Sequence, residues 1–203
     1  MNHTYSLNLN LKNNALILLL VLFSVNMYSQ SKWKPAGDKI KTKWAESVNP
    51  QNLLSEYPRP IMERNSWKNL NGLWEYAILT KGKGDPSKYE GEILVPFPVE
   101  SSLSGVQKRL DKTNELWYKR TFTIPSNWKS KNILLHFGAV DWKADVFLND
   151  IKIGSHTGGY VPFSFDITPY LTSGEQKLVV KVWDPTEDGY QARGKQSSNP
   201  EGI

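Results

Sequence analysis

The chain has 203 residues, no cysteine and a formal net charge of +5 at pH 7. Without cysteine it can form neither a disulfide nor an acylated cysteine at its amino terminus, so its stability has to come from a packed core. Its lysines and arginines are scattered and form no block of like charge, which argues against a nucleic-acid-binding surface.

Residues 1–30 have the organisation of an export signal. A polar start with Lys12 precedes the apolar run Ala15–Val25, and the polar stretch that follows ends near the small residue Ser29. The apolar run is too short to cross a bilayer of roughly 30 Å as a helix. We therefore expect an exported protein, periplasmic or secreted, with no membrane association after signal removal. An uncleaved signal anchor is the alternative.

Residues 31–66 are polar and interrupted by prolines, which predicts a leader segment that packs along the domain. Its stretch NPQNLLSEYPRP, which begins at Asn49, predicts a turn of helix that stops at Pro58. The reason is that the residue before a proline is disfavoured in a helix.

From Trp67 onward, short runs of β-forming residues alternate with turn residues. In LWYKRTFTIP the period is two: Leu116 and Tyr118 share one face, whereas Trp117 and Lys119 share the other. The predicted strands are Gly72–Leu79, Gly91–Pro96, Leu116–Pro125, Asn132–Gly138, Lys143–Asn149, Ile151–Ser155, Val161–Ile167 and Gln176–Asp184. So many short strands with almost no helix indicate an all-β fold, a β-sandwich or jelly roll.

The stretch LNDIKIGSHTGGYVPFSFDIT, Leu148–Thr168, combines several turn signals. Asn149 and Asp150 tolerate positive φ and predict a hairpin turn, and the Gly-Gly pair that follows allows close approach of the backbone. Val161, Phe163 and Phe165 are expected to alternate into the core, and Asp166 with Thr168 to cap a short turn. His156 and Tyr160 remain as candidates for the rim of a binding site.

The sequence contains no recognisable catalytic constellation. Outside residues 1–30 there are only two histidines, and His136 lies within a strand pattern. No serine has a nucleophile-elbow context, and no cluster of residues has metal-ligand spacing. Asp184, Glu187 and Asp188 form a loose acidic loop, for which a generic calcium contact is an alternative interpretation. We expect no cofactor and no metal.

Five segments in order resemble the N-terminal sugar-binding domain of glycoside hydrolase family 2, which includes β-galactosidases, β-glucuronidases and β-mannosidases. The segments are WKNLNGLWEYAI (Trp67–Ile78), VPFPVESSLSGV (Val95–Val106), LWYKRTFTIP (Leu116–Pro125), LLHFGAVDWKADVFLNDIKIGSHTGGYVPFSFDIT (Leu134–Thr168) and VWDPTEDGYQARGKQ (Val182–Gln196). The resemblance implies a galactose-binding-domain-like jelly roll over residues 67–203 that lacks its last strand. In the family an immunoglobulin-like sandwich and a (β/α)₈ barrel follow this domain. The barrel supplies both catalytic glutamates, so the resemblance implies that this chain has no catalytic residue and is inactive alone.

The resemblance also implies where a sugar is contacted. In the family the loops near the end of the domain reach the terminal sugar, which makes candidates of Asp184, Asp188, Arg193, Lys195 and Gln196, with Tyr160 beside them. A role in ordering the loop is the alternative for each. The leading hypothesis is the non-catalytic domain of an exported, β-galactosidase-like enzyme. Its expected partners are a β-glycoside and the enzyme's own downstream domains. A stand-alone carbohydrate-binding module and a structural β-sandwich are the alternatives, and the latter gains if Trp142 and Tyr190 are buried.

Overall fold

The computed structural model describes residues 33–37, 40–194 and 196–198, and the predicted export signal lies outside them. The chain divides into two units, Met1–Trp33 and Lys34–Ile203, and the fold described here belongs to the second. Its strands are β1 Gly72–Thr80, β2 Gly91–Val95, β3 Asn114–Thr123, β4 Leu134–Phe137, β5 Lys143–Leu148, β6 Ile151–Thr157, β7 Phe163–Asp166 and β8 Glu175–Trp183. Short 3₁₀ helices span Lys43–Ser47, Pro60–Met62, Ser102–Ser104, Ser126–Trp128 and Thr168–Tyr170.

The fold is all-β, as the sequence predicted. Over the described ranges there is no α-helix, and no helix there is long and apolar enough to cross a membrane. Six strands form an antiparallel sheet in the order β2-β1-β3-β8-β5-β6, and β4 pairs with β7 in a second, two-stranded sheet. The jelly-roll connectivity and a missing last strand remain predictions.

The two sheets share one hydrophobic core, which makes the fold a sandwich. Leu116 and Phe122 of β3 and Val180 of β8 point from the large sheet into this core, and Leu135 of β4 reaches it from the small sheet. Tyr118 packs against the same cluster, which confirms the predicted inward face of β3. Since each fully buried aliphatic side chain contributes roughly 1.5–3 kcal/mol, this core dominates the stability of the domain.

The hairpin turn between β5 and β6 is confirmed, and one of its residues also fixes a neighbouring loop. Asn149 and Asp150 have φ values of 50° and 68°. The Asn149 side chain accepts a hydrogen bond from the backbone N–H of Lys177 (2.9 Å) and donates to the carbonyl of Tyr170 (3.0 Å) and to Oε1 of Gln176 (2.8 Å). The turn is therefore locked to the start of β8.

Two local predictions are wrong. The stretch after Asn49 forms turns and bends rather than a helix, because Leu54 has a positive φ of 46° and its carbonyl accepts a hydrogen bond from the Asn69 side chain (2.6 Å). Val161 is 51% exposed, because β7 begins only at Phe163. Phe163 and Phe165 do pack against the core, and the Asp166 carboxylate accepts from the N–H of Thr168 (2.9 Å), two residues further on, just before the 3₁₀ helix Thr168–Tyr170.

Candidate functional site

Three loops meet at one end of the sandwich and form what we call the loop junction: Asp141, Gly159, Tyr160, Asp184 and Gln196. The first loop joins β4 to β5, the second joins β6 to β7, and the third follows β8. Gln196 donates a hydrogen bond from Nε2 to Oδ2 of Asp141. Position 159 lies against the Asp141 carboxylate, and the Tyr160 hydroxyl lies against Gly194.

Strand register places Asp141 beside Gly159. Lys143 of β5 pairs with Thr157 of β6, and one step further out the N–H of Gly158 donates to the carbonyl of Trp142 (2.9 Å). The next step brings Asp141 opposite Gly159, where the missing side chain leaves room for the carboxylate. The Asp141–Trp142 peptide bond is cis.

Asp184 enters the junction because β8 is paired with β5. Lys143 is the cross-strand neighbour of Trp183, the last residue of β8, so Asp184 leaves the sheet on the side where Asp141 lies. Oδ1 of Asp184 accepts a hydrogen bond from the backbone N–H of Thr186 (2.7 Å). Burial raises the pKa of Asp184, and the negative charge of Asp141 raises it further; together they outweigh the Thr186 hydrogen bond, which acts in the opposite direction.

The junction and the adjoining end of β6 each contain a polar atom whose hydrogen-bonding capacity is unused. Oδ1 of Asp141 and Nε2 of His156 are buried and have no hydrogen-bond partner among the described residues. The His156 ring stacks on Phe163, with 4.1 Å between ring centroids. Tyr160, by contrast, is 60% exposed beside these buried groups. The arrangement thus combines hydrogen-bond acceptors, an amide and an exposed aromatic ring, which is what a sugar's hydroxyls and apolar face require.

Asp188 and Arg193, two other predicted contacts, have loop-ordering partners. The Asp188 carboxylate forms an ion pair with Lys112 (2.9 Å), and its N–H donates to the carbonyl of Pro185 (3.0 Å). Arg193 donates to the carbonyl of Glu187 (3.1 Å) and pairs with its carboxylate at 3.9 Å. Lys195 lies outside the described residues. The structure therefore brings together Asp184, Gln196 and Tyr160 from the predicted set.

Asp141 is not among the site residues that the sequence predicted. A signal was nonetheless present. Asp141 comes just before the first strand of the predicted hairpin, and the pair Gly158-Gly159 comes just after the second strand. Antiparallel pairing therefore places the Asp141 side chain opposite backbone that has no side chain. Within the described ranges no group of three or more histidine, aspartate or glutamate residues is arranged to hold a metal ion.

A family model for "Glycosyl hydrolases family 2, sugar binding domain" matches residues 85–195, more than half of the chain. The chain belongs to glycoside hydrolase family 2. The resemblance noted in the sequence is thereby confirmed. The matched range contains Asp141, Gly159, Tyr160 and Asp184, so most of the loop junction lies within the family's sugar-binding domain.

Individual relatives in family 2 are similar over part of their length. A β-glucuronidase of Paenibacillus borealis is 27% identical over 159 residues, which is 72% of this chain and 26% of that protein. The β-glucuronidase of the dog is 31% identical over 134 residues, 58% of this chain and 20% of that protein. A β-galactosidase of Thermoanaerobacter pseudethanolicus is 38% identical over 66 residues, 32% of this chain and 9% of that protein.

A solved structure of Lactobacillus rhamnosus β-glucuronidase superposes with a TM-score of 0.49 at 29% identity, covering 58% of this chain and 21% of that one. The chain spans about a quarter or less of the length of these family 2 relatives.

Proposed function

We propose that the chain is the non-catalytic, amino-terminal sugar-binding domain of an exported family 2 glycosidase that hydrolyses terminal β-glycosidic bonds. The observation that carries the proposal is the loop junction, a cluster of hydrogen-bonding side chains that lies within the part of the chain matched by the family's sugar-binding model. The domain would shape the rim of the enzyme's substrate pocket, while the catalytic groups would come from other domains.

The charge of the junction favours contacts with sugar hydroxyls. Asp141 and Asp184 are carboxylates, which accept hydrogen bonds from hydroxyl groups and repel another carboxylate. A glucuronide and a galactoside both offer ring hydroxyls, but only the glucuronide has a carboxylate at C6. The relatives include β-glucuronidases and a β-galactosidase. We therefore propose that the junction binds the ring hydroxyls of a terminal β-glycoside, with any C6 carboxylate turned away from it.

Two measurements test this function. The gene should continue beyond the codon for Ile203 into a second sandwich and a barrel with two active-site glutamates, and a downstream sequence without them would contradict the proposal. The chain alone should release no 4-nitrophenol from 4-nitrophenyl β-D-glucuronide or β-D-galactoside. Hydrolysis above that of a heat-unfolded control would show that the domain is itself catalytic.

Export is a separate part of the proposal, supported by the signal-like organisation of residues 1–30. In the native host the chain should be recovered from the periplasm or the culture fluid. Removal of residues 1–30 should retain it in the cytoplasm. Equal distribution of both forms would contradict export.

A stand-alone carbohydrate-binding module is the second candidate, favoured by exposed aromatic rings. Tyr190 is fully exposed and Trp142 is only partly buried, which favours a binding surface over a purely structural sandwich. This candidate predicts that the full chain binds β-galactosides or plant polysaccharides in a calorimeter. Binding should weaken in Tyr190→Ala, and absence of any binding heat would rule this candidate out.

A further inference from the structure

The outward face of the six-stranded sheet contains a shallow hollow of about 80 Å³, next to the strand ends that lead into the loop junction. This face points away from the core and carries the alternate residues of each strand, among them Trp117, which is only 3% exposed beneath charged side chains. The hollow is lined by Lys81, Glu115, Lys143, Asp145, Lys181 and Trp183.

Pairing of three strands assembles the hollow. Asp145 of β5 lies beside Lys181 of β8, and Lys181 lies beside Trp117 of β3. At the next outward-facing position Lys143 lies beside Trp183. Three neighbouring strands, β3, β8 and β5, therefore form the floor of the hollow near their ends, and Lys81, the residue that follows β1, joins them.

The carboxylates of the hollow already have partners. Asp145 accepts from Lys152 (2.8 Å), Lys181 (3.0 Å) and the Ser155 hydroxyl (2.6 Å). Burial would raise the pKa of Asp145, but these hydrogen bonds outweigh burial and hold the pKa well below its usual range. Glu115 accepts from the backbone N–H of Gly82 (3.2 Å) and lies 3.8 Å from Lys181. Both carboxylates are therefore already engaged by donors of the protein.

Two lysines of the hollow are not paired with a carboxylate. Within the described ranges, Lys81 and Lys143 form no ion pair with a carboxylate. The ammonium group of Lys81 lies 3.3 Å from the centroid of the Trp183 ring, which places a positive charge beside an aromatic surface. The ring itself is fixed, because its Nε1–H donates to the carbonyl of Lys112 (2.8 Å) and Trp142 packs edge-on against it at 6.1 Å.

We propose that this hollow binds an acidic sugar residue of a glycan through its charged group, a carboxylate or a sulfate ester. Lys81 and Lys143 donate hydrogen bonds to the anionic oxygens, and the immobilised Trp183 ring packs beside the sugar. Lys81, Lys143 and Lys181 together outnumber the two carboxylates Asp145 and Glu115 by one, so the lining has a net formal charge of +1. This site requires only the chain itself and does not rest on the proposed role in a glycosidase.

Affinity electrophoresis of the full chain tests the site. Native gels would contain polygalacturonic acid for the carboxylate, dextran sulfate for the sulfate ester, or dextran as the neutral glycan. We expect retardation in at least one acidic gel and none in dextran. Retardation in only one acidic gel would identify the group that binds. Absence of retardation in both, or equal retardation in dextran, would overturn the proposal.

Charge-matched variants separate a built site from general attraction to a polyanion. The double variant Lys81→Gln/Lys143→Gln should weaken binding by about fivefold or more, the loss expected for two exposed charge contacts. Lys88→Gln/Lys129→Gln removes the same charge from two exposed lysines outside the hollow and should leave binding unchanged. Equal loss in both double variants would overturn the site. Because Lys81 contacts a ring, the single variant Lys143→Gln decides the question if the double variant is unfolded.

Discussion

The carboxylate of Asp141 occupies the space in which a side chain at position 159 would stand, so only glycine fits opposite it. The same carboxylate accepts the hydrogen bond from Gln196. One side chain therefore joins all three loops of the junction, and its position depends on a residue that contributes no side chain at all.

Gly159→Ala should break this arrangement. The added methyl group would overlap the Asp141 carboxylate and force either that side chain or the loop to move, which costs about 1–3 kcal/mol. Thermal or denaturant unfolding of the full chain measures the loss. Gly138→Ala is the matched control, because Gly138 lies in the β4–β5 loop, has no positive φ and has open space around it. Equal stability of the two variants would contradict the close packing described for Gly159.

The strands were predictable because their signals are local. The alternating pattern of β3 by itself places the side chains of Leu116 and Trp117 on opposite faces of the sheet. The residue types of Asn149 and Asp150 by themselves favour the hairpin turn that they form. The predicted helix after Asn49 failed for the opposite reason. The side chain of Asn69, which is distant in sequence, donates a hydrogen bond to the Leu54 carbonyl, and local helix propensity does not predict that contact.

The junction was only partly predictable, since its contacts join distant parts of the chain. Asp141 and Gln196 are 55 positions apart, and no pattern around either one specifies the other. The residue types of Asp188 and Arg193 suit a sugar contact equally well, but Asp188 pairs with Lys112 of the β2–β3 loop and Arg193 with Glu187 of its own loop. The sequence therefore indicates the loop after β8 as a candidate but does not distinguish among its side chains.

Gln176→Met should be strongly destabilising, even though it preserves the volume of the side chain. Gln176 is 1% exposed; it donates to the carbonyls of Thr172 (2.8 Å) and Gly174 (2.9 Å) and accepts from Asn149 (2.8 Å). Methionine can make none of these hydrogen bonds, so the partly buried carbonyls of Thr172 and Gly174 lose their donor and Asn149 loses one of its acceptors, which costs about 2–4 kcal/mol. Chemical denaturation measures the change.

The control for that measurement is Gln51→Met, the same substitution at an exposed glutamine. It should change the free energy of unfolding by about 0.5 kcal/mol or less. If Gln176→Met were as mild as this control, the hydrogen-bond network that connects the hairpin turn to β8 would not be a source of stability.

Asp184→Asn should stabilise the fold at pH 7 and have little effect near pH 3. The pKa of Asp184 is raised in the folded state, chiefly by burial, so the folded protein favours the protonated form. The stability due to this proton is complete below the ordinary aspartate pKa of 3.8 and is lost as pH rises through the higher folded pKa. Asparagine stays neutral at every pH and keeps an oxygen to accept from Thr186, so it avoids the cost of ionisation. Melting temperatures of the two proteins across pH 3–8 measure the effect, with the exposed loop variant Asp85→Asn as control.

Carboxylates whose pKa is raised by burial are concentrated at functional sites, which makes Asp184 a candidate for a sugar contact. If Asp184→Asn raises the melting temperature at pH 7 in the full chain and lowers the activity of the glycosidase that we propose as its parent, Asp184 acts on the sugar. The opposite result is that Asp184→Asn lowers the melting temperature at pH 7 but not at pH 3, each time compared with the unmodified chain. That result would show that the ionised carboxylate orders the loop through Thr186.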